Sequence, residues 1–452
     1  MRRREFLTFG PALALATKLP AAGSDGWSEI LPAILGRIQP PRFPDRDFGI
    51  LRYGAAGDGR TDCRPAFARA IAACSQAGGG RVVVPAGVYL SNGPIHLATN
   101  VNLHLEEGTT VRFGTNPADY LPNVLVRWEG IRCYNYSPLV YAFQQENIAI
   151  TGKGILDGQA QAFWGAWKQK QTPDQEAIRR MGASGVPLER RVFGEGHYLR
   201  PALFQPYECR NVLVEGVTFK SSPFWTVHPV FCDNVTVSGV RVLPGTTNDD
   251  GCDPDSCRDV LIENCVFDTA DDNIAIKAGR DQDAWGLRDC ANIVVRGCIG
   301  VRSKANGYCI GSEMSGGVRN VFIENNRVGD VESALYIKSN SDRGGTVENV
   351  WLRHNAVESC DYFIKIETDY KGITGHPYPS QYRGFHFENL TCRTARKCGI
   401  YAVGIAGKPV AGLFFKDITV ESSAEPARFL NTSGVEISNV KINGRLLGSS
   451  QI

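Results

Sequence analysis

At 452 residues the chain has room for two or three ordinary domains or for one elongated fold. Its 49 Lys and Arg against 47 Asp and Glu leave a formal net charge of +2, and nothing in this balance suggests a nucleic-acid binder. With 49 Gly, 24 Pro, only 3 Met and abundant Val and Ile, the composition points to many short strands joined by tight turns.

The N-terminus reads as an address. Arg2, Arg3 and Arg4 precede a short apolar run from Phe9 to Ala16 and then small residues up to Gly23, the layout of an export signal. The form Arg3-Arg4-Glu5-Phe6-Leu7 resembles the twin-arginine signal, whose receptor exports folded proteins, so residues 1–22 are read as a signal and the mature protein as periplasmic or secreted. The run is too short to span a bilayer, and no other stretch reads as a membrane helix. Residues 23–44 are Pro-rich and read as a linker or arm, followed by one domain over 45–447. Asp62 and Pro65 are the expected start of a helix over 66–76, with Phe67, Ile71 and Ala72 on its inner face and Gly78-Gly79-Gly80 as its stop. Strand-like runs follow at 81–85 and 101–105.

A weak repeat then dominates. Each unit begins with Asn or Asp, alternates apolar residues, meets a small residue or Asn, and turns apolar again. Units start at Asn147, Asn211, Asn234, Asp259, Asn292, Asn320 and Asn349, and Gly384, Gly412 and Gly434 lead the last ones. The offsets are roughly 22 to 35 residues, the range of solenoids, and the period-two alternation marks strands. The expected fold is all-β, a right-handed parallel β-helix whose coils bury their inward side chains against neighbouring coils. The helix at 66–76 is expected to cap its open end. A propeller or sandwich does not account for a single Asn-led unit at variable spacing. Residues 158–200 break the pattern and carry two helical stretches, so they read as a large loop insertion, either a specificity loop or a packing flap. Cys265, Cys298, Cys309 and Cys392 fall inside strand-like runs, where Cys packs as a small hydrophobe. Cys252 and Cys257 bracket an acidic turn and form a candidate disulfide pair, and no Cys spacing makes a zinc site.

That acidic turn, Asn248-Asp249-Asp250-Gly251-Cys252-Asp253, lies about one coil before Asp271-Asp272. Coiling places the two clusters on one face, one strand spacing of about 4.8 Å apart. Carboxylates that close disturb each other's ionisation, and a pair of them is what glycoside hydrolysis needs, one to give a proton and one to take it. An isolated Asp-Asp pair would instead be a solvated turn or a cation site. Asn306-Gly307-Tyr308 and Tyr336-Ile337-Lys338 follow on the next coils, so a cation, Lys338, is expected at the edge of the carboxylate cluster.

These motifs resemble those of glycoside hydrolase family 28, the polygalacturonase-like enzymes. The acidic turn 248–253, Asp271-Asp272 within Asp-Asp-Asn-Ile-Ala-Ile-Lys277, Asp47 to Asp62, Ser222 to His228, Ile310 to Gly317 and Asp342 to Gly345 all carry the likeness, which spans nearly the whole mature chain. The resemblance implies an inverting, cofactor-free and metal-free glycosidase acting on pectic oligo- or polysaccharide. In that reading Asp271 is the general acid, and Asp250 with Asp272 activates water. Substrate contacts are expected from Lys338, Tyr336, Asn306, Asn248 and Arg280. Inversion asks for an acid and base roughly 6.5–9.5 Å apart, and Asp271 is expected to be held protonated by its acidic neighbours. Two family motifs are altered: Ala305-Asn306-Gly307 lacks the family's His, and Tyr336-Ile337-Lys338 lacks its Arg. Tyr cannot replace a bidentate carboxylate partner, so Arg280, Arg343 and Lys365 are candidate substitutes. Trp225 and His228 are expected to pack under the site and Tyr370 to line it. The expected protein is a monomer, exo-acting because the insertion closes one end of its cleft, with no nucleic-acid or membrane partner. A rhamnogalacturonan or substituted-pectin hydrolase, a carbohydrate-binding β-helix without turnover and a β-helical lyase are the alternatives.

Overall fold

The Asn or Asp that leads each repeat sits where the backbone turns left-handed. Asn147, Asn211, Asn234, Asp259, Asn292, Asn320 and Asn349 all have φ between 53° and 62°, a region these side chains tolerate and most others avoid. Their amides also bond coil to coil: Asn211 donates to Asn147 (2.8 Å), Asn234 to Asn211 (2.8 Å), Asn292 to Asp259 (2.9 Å) and Asn320 to Asn292 (3.0 Å). The repeat read in the sequence is therefore a column of bends.

The computed structural model describes residues 26–373 and 375–448, and the segment read as an export signal lies outside the described residues. Strands stack in parallel register as a right-handed β-helix. One ladder carries Val212, Val235, Val260, Ile293, Val321, Val350, Phe385 and Leu413 as direct neighbours, all pointing into the core. Burying each such side chain contributes about 1.5–3 kcal/mol. Helix α1, Leu31–Arg37, lies in the segment expected to be a linker or arm, and packs Leu31 and Ile34 on the outward-facing Leu261, Val294, Phe322 and Trp351. Helix α2, Arg64–Gln76, buries Phe67 and Ile71 over the first coils, and the Asp62 carboxylate accepts the Arg64 N–H at 3.0 Å.

All fourteen Cys are buried and free. The candidate pair Cys252–Cys257 is overturned, because the Cys257 thiol instead donates to the Pro229 carbonyl. Cys209, Cys232, Cys257 and Cys290 precede register-matched strand residues of four successive coils and so form an internal column of thiols.

The insertion folds as a short 3-10 helix, Trp164–Gln169, and helix α3, Thr172–Ala183. Nothing in the repeat pattern marks the antiparallel hairpin Val124–Trp128 and Ile131–Asn135, which takes Val192–Phe193 as a third strand. This small sheet and α3 share a core of Val126, Ile131, Ile178 and Phe193, and together they stand beside the β-helix as a wall.

Candidate active site

Successive coils bring the two acidic turns into contact. The Gly251 N–H donates to the Asp272 carbonyl (2.9 Å), and the Asn273 N–H to the Asn306 carbonyl (2.8 Å), so the turns at 248–253, 270–273 and 303–306 stack. The buried Asp249 carboxylate ties the first two together. It accepts the N–H of Gly245 (2.6 Å) in its own turn, and of Ala270 (2.8 Å) and Asp271 (3.0 Å) one coil on. Asp250, Asp271 and Asp272 then converge, each offering an oxygen within 4.8 Å of the other two. All three face one cleft of about 430 Å³, a size typical of small-ligand sites. Asp250 comes this close to the other two because neighbouring coils are only one strand spacing apart.

The three carboxyls have different proton affinities. Burial raises Asp271, and the adjacent Asp272 charge raises it further, so its acidic neighbours are the lesser cause rather than the expected main one. Burial also raises Asp250 well above the carboxylate range, helped by Asp253 and Asp271. Burial would raise Asp272 too, but the ammonium groups of Lys338 and Lys277 and the hydrogen bond from Asn306 more than offset it, leaving this carboxyl below the ordinary range. Lys338 Nζ lies 3.4 Å from Asp272, and Lys277 Nζ lies 3.6 Å from Asp250. The cluster has the spacing of a metal site, but two of its three members already have ammonium partners.

Of the expected contact residues, Asn248, Lys338 and Arg280 line the cleft. Asn248 donates its amide N–H to Asp271 (3.2 Å). Asn306 does not reach the cleft: it is buried behind Asp272 and donates both its backbone and side-chain N–H to that carboxylate (3.1 and 2.5 Å). Tyr336 is likewise buried, with its hydroxyl donating to Glu367 and accepting from Lys365 (3.0 Å), so the expected substrate contact is replaced by one inside the coil stack. Lys365 is used up there, and Arg343 pairs with Asp281 and Glu313. Tyr370 lines the cleft. Trp225 does too, with Lys277 Nζ 4.2 Å over its ring and His228 edge-on beneath it.

Several lining groups were not among the expected site residues, although Glu313 falls within the family-like run Ile310 to Gly317. Glu313 accepts from Lys277 (3.4 Å) and lies 3.5 Å from both Arg280 and Arg343. At the tip of the outlying hairpin, Glu129 accepts from Gln175 (2.7 Å) and Arg179 (2.6 Å) of α3, closing one side of the cleft. Lys168, from the 3-10 helix of the insertion, also lines it.

Residues 194–444 match the family described as glycosyl hydrolases family 28, and residues 48–105 match one described as rhamnogalacturonase A/epimerase, pectate lyase-like. The structure of a hyperthermoactive exopolygalacturonase from Thermotoga maritima is similar at 42% identity and a TM-score of 0.85, covering 92% of this chain and 96% of that one. An exo-poly-alpha-D-galacturonosidase of Dickeya chrysanthemi is 25% identical over 442 residues, 89% of this chain and 71% of that protein. A probable polygalacturonase of Vitis vinifera is 25% identical over 393 residues, 83% of this chain and 74% of that protein. The match over more than half the chain, with the parallel β-helix and the acidic cleft, places this protein in glycosyl hydrolase family 28, as a glycosidase.

Proposed function

We propose that the protein is an exo-acting hydrolase of α-linked galacturonate chains, with Asp271 as general acid and Asp250 and Asp272 holding the attacking water. The observation that carries this reading is the convergence of three carboxyls with opposed proton affinities in one cation-rimmed cleft. Asp271 has the raised affinity that an acid needs, and Asp272 stays ionised. The proton leaves Asp271 for the glycosidic oxygen as the bond to the anomeric carbon breaks. Water attacks that carbon and gives its proton to Asp272, the member of the Asp250–Asp272 pair that stays ionised. Two carboxyl groups with oxygens within 4.8 Å of each other can hold one water between them. The names of the Thermotoga and Dickeya relatives support the substrate and the exo action. The wall built from Glu129 and α3 supports the exo action independently.

Inversion at the anomeric carbon belongs to the same proposal and is read by NMR of the first product anomer: retention, the outcome for a pair about 5–5.5 Å apart, overturns it. We also propose a periplasmic or secreted monomer. Among the described residues no helix is long and apolar enough to cross a membrane.

The test is product analysis on homogalacturonan and rhamnogalacturonan oligosaccharides. The expected result is release of single units or short ends from homogalacturonan, with no gain in absorbance from an unsaturated product. Cleavage confined to rhamnogalacturonan would favour the second hydrolase reading, which rests on the buried Tyr336 standing where the family has Arg.

A further inference from the structure

A chain of uronates brings a carboxylate on every sugar, and the arginine that the family motif would supply is missing here. The substitutes within the coils are neutralised: Arg280 and Arg343 share Asp281 and Glu313, and Lys365 pairs with Glu367. Lys168 is different. Its Nζ donates to the neutral Asn248 Oδ1 (3.1 Å), and no carboxylate of the described residues forms an ion pair with it. Arg200, fully buried, donates to the same amide oxygen (2.8 Å), and otherwise to the Gln171 and Thr246 side-chain oxygens and the Pro223 and Thr247 carbonyls. Two cations thus converge on one uncharged acceptor. Burial, and then the nearby Arg200, lower the proton affinity of Lys168 by more than the charges of Glu129 and Asp271 raise it. The other face of Asn248 donates to Asp271, so the cationic corner adjoins the acid.

Resting on the reading above, we propose that Lys168 is a specificity residue that receives the carboxylate of a uronate unit beside the bond that Asp271 protonates. The anion-binding task is thereby moved from the coil strand to the insertion. Three T-shaped aromatic contacts, Trp164 with Trp167 (4.9 Å), Tyr120 with Trp164 (5.3 Å) and Trp167 with Tyr198 (5.4 Å), hold the carrying 3-10 helix in place. The neighbouring Arg200 fixes the orientation of the Asn248 amide and so leaves Lys168 free to turn toward the ligand.

The test compares Lys168→Met with the wild type on trigalacturonate and on its methyl-esterified form. The wild type is expected to lose activity on the ester. In Lys168→Met, KM for trigalacturonate should rise about tenfold, a single charge-assisted bond, and the penalty for esterification should shrink by the same factor. Lys168→Arg should restore most of the difference. If Lys168→Met loses the same factor on both substrates, the residue only supports the fold and the proposal fails. If the wild type cleaves neither substrate, the galacturonate reading has failed instead, which the two-substrate design separates. Circular dichroism of each variant checks that it is folded.

Discussion

The carboxylate of Asp249 accepts the backbone N–H of Asp271, one full coil away, at 3.0 Å. Asp249 does not line the cleft, yet it sets where the acid sits. Replacing it by Ala removes the acceptor of three backbone N–H groups at once. The expected outcome is a fall in kcat of about 10²-fold, the scale of a misplacement near 1 Å, with KM little changed. Steady-state kinetics on trigalacturonate check it, and a kcat within a factor of two of wild type would show that the turns stack without this tie.

The opposed affinities of Asp271 and Asp272 predict a bell-shaped pH profile. Asp271 is raised, so its active, protonated form persists above the ordinary carboxylate range, and activity is lost as pH rises through its own value. Asp272 is lowered, so its active, ionised form persists to low pH, and activity is lost only as pH falls through that value. Lys338→Met removes the ammonium that does most to hold Asp272 ionised, so the acid limb of kcat should move to higher pH. Asp271→Asn should lower kcat at least ~10²-fold and abolish the alkaline limb.

Glu129 and Arg179, 2.6 Å apart, form the wall that closes the cleft. Arg179→Ala combined with Glu129→Ala should open it. The double variant is expected to release longer oligomers from polygalacturonate and to drop its viscosity faster per bond cleaved. Chromatography of early products showing single units unchanged would place the end-stop elsewhere.

The Asn column bears on stability rather than chemistry. Asn292→Ala removes bonds to Asp259 and Asn320 and puts Ala at φ 62°. A loss of about 1–3 kcal/mol is expected from the strain and the missing bonds together, seen in denaturant unfolding with kcat unchanged.

The β-helix was legible because its coils are written locally: Asn at a left-handed bend, then alternating inward residues, recurring in Asn211, Asn234, Asp259 and Asn292. The three aspartates were legible for the same reason, since coil length fixes which residues become neighbours. The cleft walls were not. Glu129, Lys168, Gln175 and Arg179 reach the site from outside the repeat, and their place depends on how α3 packs on Ile131. Tyr336 and Asn306 were put at the right coil and the wrong depth. Lys365 on the following coil covers the Tyr336 ring at 4.2 Å, and Asn306 turns to Asp272, neither of which periodicity reports.

The column of Cys209, Cys232, Cys257 and Cys290 stays reduced only while the surrounding coils shield it. An unwound chain meeting an oxidising milieu would offer its sulfurs to scrambled crosslinks, and each wrong bridge would block a turn of the solenoid from closing.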